Sequence, residues 1–490
     1  MATVILGGGI IGLSIAHCLS LERPPSAPGN PHIHILDSSH SLLLSASGFA
    51  GGFLAEDWMS PASASLAALS FRLHRELALQ HEGQRRWGYA GSQVYSLSID
   101  GTGVVNRKRG QSQDWISSGT SRANAAPDLP PSTSSSGDPP NSTGSQVETF
   151  NPDGSPACFT AQPGGTLSTI GMPSDCAQIH PRSLCSFLLA QCQSRGVQLH
   201  LSATPTSIVT DNDSSTLTGL HYTSPTTEGT TSLDCSNLVL AAGPWTPSLF
   251  ATLFPHASTR IPIYPLAGHS VLAKSPRYVA PFPLSRNEGP PSSKNKSGEQ
   301  QQQHICYAVY CSPTPASFIG HAWTYAPEAF ARLSPDGQTE IWVGGLNEPD
   351  LALPPRAEDV KPLLAKGKGY EAAKREMRGC AVQLCGRAMG DGGQQGDLGG
   401  RNEDDLRDVS EGLCFRPVSE TGVPVVGRVG NEMLGGVKTA GEKGKGMGGV
   451  FVASGHGPWG ISLSLGTGKV VSEMVLGETL SADVSRLALG

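Results

Sequence analysis

Thr3-Val4-Ile5-Leu6-Gly7-Gly8-Gly9-Ile10-Ile11-Gly12 is the stretch on which the reading of this 490-residue chain turns. Four β-prone apolar residues run directly into G-x-G-x-x-G, and Leu13, Ala16, His17 and Leu19 then continue at helical spacing. Gly7 permits a tight turn, Gly9 lets the backbone approach a pyrophosphate, and Gly12 allows a helix to pack close to a strand. The helix that begins here presents its first N–H groups to an anion. A polar, Pro-rich loop from Glu22 to Pro31 leads to a second alternating strand, His32 to Leu36, which ends in Asp37. This order is a βαβ opening, with Asp37 placed to accept the hydroxyl protons of an adenosine ribose. The Pro-rich loop accounts for a spacing from Gly12 to Asp37 longer than the usual ~20 residues.

Composition narrows the ligand. Lys+Arg 35 against Asp+Glu 41 gives a net charge of −6, which offers no basic field for nucleic acid or anionic lipid and favours a small neutral or zwitterionic ligand. Eleven cysteines are scattered singly, with no C-x-x-C pair and no His/Cys ladder, so no metal site is expected and a reducing compartment is the simplest reading. The apolar start from Val4 to Leu21 lacks a basic leader and is broken by glycines, and no stretch reaches transmembrane length. The last residues, Ala488, Leu489 and Gly490, are not a peroxisomal address. The expectation is a cytoplasmic protein without integral membrane contact, whose Asn141, Asn212 and Asn295 sequons go unused.

Gly 60 and Pro 38 make up a fifth of the chain, and they concentrate in segments that read as insertions. From Ser117 to Ser145, 20 of 29 residues are Ser, Thr, Pro or Gly, a composition that cannot form a core. Residues 105–150, 285–303 and 389–408 are therefore assigned as flexible insertions, leaving about 405 residues, the size of a two-domain enzyme. In that body, helical periodicity marks Ser65 to Gln80 and the stretch after Pro181. Gln198 to Leu201, Ser207 to Thr210, Leu238 to Ala241 and Gly449 to Ala453 read as strands. The order predicts an α/β fold: a Rossmann-like nucleotide-binding domain assembled from residues 1–104, 171–260 and 411–490. An inserted antiparallel-sheet α+β substrate domain takes 261–410 with parts of 60–104 and 146–180.

A G-x-G-x-x-G turn holds the ADP half of NAD or FAD alike, and four later motifs bear on the choice. They are Ser45-Ala46-Ser47-Gly48-Phe49-Ala50-Gly51-Gly52-Phe53, then Leu238-Val239-Leu240-Ala241-Ala242-Gly243-Pro244-Trp245, then Phe415-Arg416-Pro417 with Val423-Pro424-Val425-Val426-Gly427, and finally Ala453-Ser454-Gly455-His456-Gly457-Pro458-Trp459-Gly460-Ile461. In this order, across nearly the whole chain outside the insertions, the sequence resembles the D-amino-acid-oxidase superfamily of FAD-dependent oxidoreductases, which includes glycine and sarcosine oxidases and fungal-type members known only as oxidoreductases. The resemblance implies FAD, held by Gly7, Gly9, Ile10, Ile11 and Gly12; by Asp37 and Ser38; and by Ser47, Gly48, Ala50, Gly51 and Gly52. It further implies contacts from Val209, from Ala242, Gly243 and Trp245, and from Gly455, His456, Gly457, Trp459, Gly460 and Ile461 of the closing turn. A helix opening at Ile461 would aim its dipole at the flavin.

The same resemblance makes Arg416 the receiver of a substrate carboxylate, since a planar guanidinium makes two parallel hydrogen bonds. The alternative is an ion pair with Glu411 or Glu420. Pro458 stands where glycine oxidases have a second arginine, which leaves room for a larger amine or an amino-acid derivative. Cys414 falls near the cysteine that the sarcosine-oxidase branch joins covalently to its flavin; inert packing is the other reading. His456 and His269 are the polar candidates beside the flavin, His456 as a hydrogen-bond partner or part of a positive environment that activates O2. His180, before Pro181, reads as a helix cap. The expected reaction is oxidation of a C–N bond of an amine or amino acid to an imine by hydride transfer to flavin N5, with O2 or another electron acceptor. Two competitors stay open: a flavin-binding protein with an interaction or trafficking role of the endosome-to-Golgi type, and an NAD(P)-linked dehydrogenase.

Overall fold

Thr3–Leu6 forms a strand near the middle of a six-stranded sheet, in the order Val425–Val429, Gly449–Ser454, Asn237–Leu240, Thr3–Leu6, Ile33–Leu36, Gln198–His200. All neighbours are parallel except the edge pair of Val425–Val429 with Gly449–Ser454. The four interior strands are buried along their whole length, which explains why they are mainly apolar, with His34 the polar exception inside Ile33–Leu36. The computed structural model describes residues 2–22, 33–99, 121–127, 150–279, 305–313, 323–387, 404–441 and 448–489, apart from the single positions 153, 163, 226 and 367.

Helix Ile10–Glu22 crosses helix Ser464–Leu476 on this sheet so closely that a Cβ on Gly468 would lie 2.7 Å from the Ser14 carbonyl oxygen. Leu13, Ile15, Val470 and Val471 of the two helices belong to one buried core cluster. His180 caps helix Pro181–Ser194 by accepting from the Ser183 N–H at 3.3 Å. A three-stranded antiparallel sheet, Thr204–Thr210, Leu217–Ser224 and Thr227–Asp234, stands beside the parallel one.

The second large sheet has nine strands. Its path runs Arg407–Ser419, Ile263–Lys274, Thr339–Glu348, Glu328–Leu333, Cys306–Cys311, Ala90–Ser98, Cys176–Gln178 and Phe53–Ala55, with Thr166–Gly171 paired to Ala90–Ser98. Helix Lys368–Cys385 covers one face through Met377, Cys380, Ala381 and Leu384. The fold is the α/β type that the sequence predicts: a parallel nucleotide-type sheet and a largely antiparallel second sheet. All eleven cysteines are free thiols, and ten are buried. Among the described residues no helix is long and apolar enough to cross a membrane.

The segment boundaries need correction. Residues 411–419, grouped from sequence with the cofactor domain, are part of a thirteen-residue strand that pairs with Ile263–Lys274 in the nine-stranded sheet. Strand Phe53–Ala55, also grouped from sequence with the cofactor domain, belongs to that sheet too. Ser121–Pro127, inside the supposed insertion 105–150, is ordered. Arg122–Ala125 forms a 3-10 turn whose Ser121 hydroxyl accepts the Ala123 N–H, and Ser121, Arg122 and Ala123 are buried. Asp404–Asp408, at the end of the 389–408 insertion, enters the same long strand and binds Arg378. The insertion 285–303 lies outside the described residues.

Candidate active site

The carboxyl ends of four parallel strands converge on one cavity of about 460 Å³: Leu6 and Gly7, Leu36 and Asp37, Ala241, and Ala453 and Ser454 all line it. Open α/β sheets place their ligands at such carboxyl ends. The nine-stranded sheet forms the opposite wall, through Gly268, His269, Ser270, Phe330, Trp342 and Arg416.

At the fingerprint end, Gly7 has φ +113°, and a Cβ there would lie 2.5 Å from the Ala241 carbonyl oxygen. A Cβ on Gly12 would lie 2.0 Å from the Gly7 oxygen. Gly9, Ile10 and Ile11 line the cavity, and the Ile10 N–H donates to Ser47 Oγ at 3.0 Å. Asp37 Oδ2 accepts the Gly8 N–H at 2.9 Å and Oδ1 the Ser39 N–H at 3.0 Å. Burial pushes the Asp37 carboxyl above its ordinary range, and these two amide donors oppose the shift. Ser38 lies beside it on the wall.

The loop Ser45–Gly52 is clamped from both domains. Arg182 donates to the Gly48 and Leu43 carbonyls at 2.9 and 3.1 Å. From the second sheet, Arg332 donates to the Ala50 and Gly51 carbonyls, and the Trp342 indole donates to the Phe49 carbonyl at 2.9 Å. Ser47, Ala50, Gly51 and Gly52 face the cavity. A Cβ on Gly51 would lie 2.4 Å from the Phe330 ring, so the loop lies flat against the Phe330–Trp342 stack. Ala242, Gly243 and Trp245 also line the cavity, with the Trp245 indole donating to the Pro354 carbonyl at 2.7 Å.

Five of the sequence-assigned contacts do not line it. Gly12 packs on Gly7, and Gly48 packs on Leu43, whose carbonyl oxygen would be 1.9 Å from a Cβ. Gly455, at φ +78°, packs on Ile263, and the Trp459 ring faces Trp58. Val209 is off the cavity because its strand starts earlier than predicted. Thr204 and Pro205, at the strand's beginning, reach the wall, and at about 3.3 Å per residue Val209 is carried well past it. In the closing turn His456, Gly457, Gly460 and Ile461 line the cavity, and the helix expected at Ile461 begins at Ser464 after a 3-10 turn, Gly457–Trp459.

At the other end, the Arg416 guanidinium lies over Gly268, where a Cβ would be 2.4 Å from Nη2, and donates to Asn347 Oδ1 at 2.6 Å. Neither carboxylate considered as its partner holds it: Glu411 pairs with Lys374 at 2.8 Å, and Glu420 pairs with Arg260 at 2.6 Å. His269 Nε2 is 3.3 Å from Glu348 Oε1 but not aligned for a hydrogen bond. His456 Nε2 meets Thr467 Oγ1 at 3.1 Å, and burial drives its pKa down to about 3. His456 is therefore neutral near pH 7 and cannot supply the positive charge assigned to it from sequence. Cys414 lines the cavity, and burial raises its thiol pKa, so it stays protonated.

Sequence reasoning missed Arg122, Thr204, Phe330 and Trp342, and included Ser45 only as the first residue of its loop motif. Arg122 is the single basic residue between Ser117 and Ser145, which was the signal available. It lines the cavity, pairs with Glu328 at 2.6 Å, and lies over the Trp459 and Tyr310 rings.

The residues fit FAD. The glycine turn, a helix N-terminus and Asp37 suit a dinucleotide at one end. Ser45 Oγ and His456 Nδ1, buried on the wall without a hydrogen-bond partner among the described residues, offer polar atoms to a ligand. The family model described as "DAO: FAD dependent oxidoreductase" matches residues 2–474. A Schizosaccharomyces pombe protein named "Putative oxidoreductase C1F5.03c" is 25% identical over 499 residues, covering 99% of this chain and 96% of the relative. The fold resembles glycine oxidase from Geobacillus kaustophilus, with a TM-score of 0.57 and 18% identity over 100% of this chain and 98% of that one. It also resembles L-proline dehydrogenase from P. horikoshii, with a TM-score of 0.57 and 14% identity over 99% and 96%.

Proposed function

We propose that this chain, which belongs to the DAO family of FAD-dependent oxidoreductases, oxidises a C–N bond of a small amino acid or related amine to an imine. The observation that carries the reading is Arg416: a guanidinium on the cavity wall whose side-chain partner is the neutral amide of Asn347, leaving its charge for a substrate carboxylate. The glycine oxidase and L-proline dehydrogenase that share the fold are named for amino acids, which supports the same substrate class.

FAD, when bound, would supply the two-electron redox chemistry, with O2 or another acceptor as the final oxidant. The chain's own residues hold and orient. The first turn of helix Ile10–Glu22 with Gly7 and Gly9 would hold the pyrophosphate, and Asp37 the ribose. Arg416 would fix the carboxylate by two parallel N–H donors and so aim the carbon that loses hydrogen. Phe330 and Trp342 line the cavity and would exclude water from it. The substrate nitrogen must lose its ammonium proton before oxidation, and His269, with Nε2 next to Glu348, is the side chain assigned to receive it.

The test is anaerobic bleaching of the bound flavin by a panel of amines and amino acids. Arg416→Ala should raise KM for carboxylate substrates by roughly tenfold to a hundredfold while FAD stays bound. Unchanged kinetics would remove Arg416 from the site.

A further inference from the structure

We propose that residues 354–358 complete the FAD-binding site as a clasp reaching over from the second sheet, and that the contact between His40 and Glu358 sets how fast FAD exchanges. The inference needs only the cofactor of the family and holds whichever substrate the chain oxidises.

The clasp is rooted in the second domain and fastened to the first. Beyond strand Thr339–Glu348, Leu351 and Leu353 pack against the cluster of Ala267, Val360, Leu413 and Phe415. The Pro354 carbonyl then accepts the Trp245 indole N–H at 2.7 Å. Four residues on, Glu358 Oε2 accepts the His40 backbone N–H at 3.2 Å and lies 2.6 Å from His40 Nδ1. Trp245 follows strand Asn237–Leu240 and His40 follows strand Ile33–Leu36, and Thr3–Leu6 runs between those two strands in the six-stranded sheet. Two strand spacings come to about 9.5 Å, and four extended residues reach about 13–14 Å. The stretch between the fastenings is thus long enough to pass over the end of Thr3–Leu6, where the glycine turn begins. Its side chains agree: Pro355 and Ala357 line the cavity, while Arg356 between them, extended at φ −134° and ψ 156°, has its side chain 51% exposed.

The two fastenings are unequal. Pro354 is buried, whereas the His40 side chain is 67% exposed against 16% for Glu358. Hydrogen bonds from the His40 ring and backbone N–H hold the Glu358 carboxyl below its ordinary range, so it is ionised near pH 7 and the fastening is in place there. A contact this exposed adds little to global stability, and breaking it frees only the local segment. Glu358 is therefore the point at which the clasp opens. Cofactor held under a closed clasp leaves at a rate set by how often that contact breaks.

The test follows the FAD-loaded protein in two ways, neither of which uses a substrate. Exchange of bound FAD against excess isotope-labelled FAD is timed, and deuterium uptake is measured by mass spectrometry for residues 353–360 and for strands Thr3–Leu6 and Ile33–Leu36. Glu358→Ala removes both bonds from His40. It should speed FAD exchange roughly fivefold or more, the worth of one hydrogen bond to a charged group, and raise uptake in 353–360 with the two strands unchanged. His40→Ala keeps the backbone N–H donor and should fall between wild type and Glu358→Ala in both readouts. Exchange that Glu358→Ala leaves unchanged overturns the proposal. So does faster exchange without greater uptake in 353–360, or uptake that rises in the two strands as well, since the variant would then act by loosening the whole domain.

Discussion

Replacing Arg332 by Met should both destabilise the fold and loosen the cofactor loop, because this one side chain ties the nine-stranded sheet to the Ser45–Gly52 loop. Its Nη2 lies 2.7 Å and its Nε 2.8 Å from Glu340 Oε1, with the two side chains only 4% and 5% exposed. Its Nη1 donates to the carbonyls of Ala50 and Gly51. Removing one partner of a buried ion pair costs about 3–5 kcal/mol, because the other charge is left uncompensated. Each carbonyl that loses a buried donor adds about 1 kcal/mol or more, reduced by relaxation and non-additivity. The sum for Arg332→Met is about 4–6 kcal/mol, a large part of the ~5–15 kcal/mol that stabilises an ordinary domain. Adding Glu340→Gln removes the stranded carboxylate and should recover about 2 kcal/mol or more. Urea unfolding of the FAD-loaded protein measures both changes, and FAD release on dilution reports the loop. Arg332→Met within about 1 kcal/mol of wild type, or a double variant no more stable than the single one, would refute the argument.

Gly12→Ala drives a Cβ to 2.0 Å from the Gly7 backbone and should cost roughly 3 kcal/mol or more and abolish FAD retention, whereas Gly379→Ala, in a helix with nothing within 4 Å, should stabilise by about 0.5–1 kcal/mol. Denaturant midpoints and bound-flavin absorbance separate the two. Acid stability follows from buried imidazoles: burial is the leading cause that holds His17, His74 and His180 down at about 4 and His456 at about 3. The unfolded chain takes these protons below about pH 6.5 and the folded chain does not, so their contribution is complete above that pH and declines as pH falls from 6.5 toward 4. A urea midpoint equal at pH 7.5 and 5.0 would contradict this. Finally, the protonated thiol of Cys414 makes a thioether to flavin unfavourable. Acid precipitation should leave a yellow supernatant, and a yellow pellet would reverse that view.

How far the sequence revealed the site depends on the range of the interactions concerned. The turn Gly7–Gly12 was legible because its steric demands are local: each glycine is needed by backbone within a few residues or by the adjacent strand. Arg416 was found by its motif, but its strand membership was not, because pairing with Leu266 lies about 150 positions away and no local pattern encodes it. Val209 was misplaced in favour of Thr204 and Pro205 because alternation identifies a strand without fixing where it begins. The charge state of His456 was hidden for a related reason, since burial is a property of the assembled core. Arg122 was lost to averaging: a window dominated by Ser, Pro and Gly conceals a seven-residue stretch, Ser121–Pro127, in which one guanidinium finds a carboxylate and two rings.

The strand Gly449–Ser454 lies between Asn237–Leu240 and Val425–Val429, more than four hundred positions after the glycine turn whose cavity it completes. During synthesis, the apolar edge of Asn237–Leu240 must therefore wait, without its neighbour, for some two hundred further residues. Chains of such high contact order mature slowly and are prone to aggregate meanwhile. Supply of the flavin precursor should thus limit the yield of native protein as well as its turnover, because a ligand that binds only the closed sheet draws late-folding molecules out of the aggregation route.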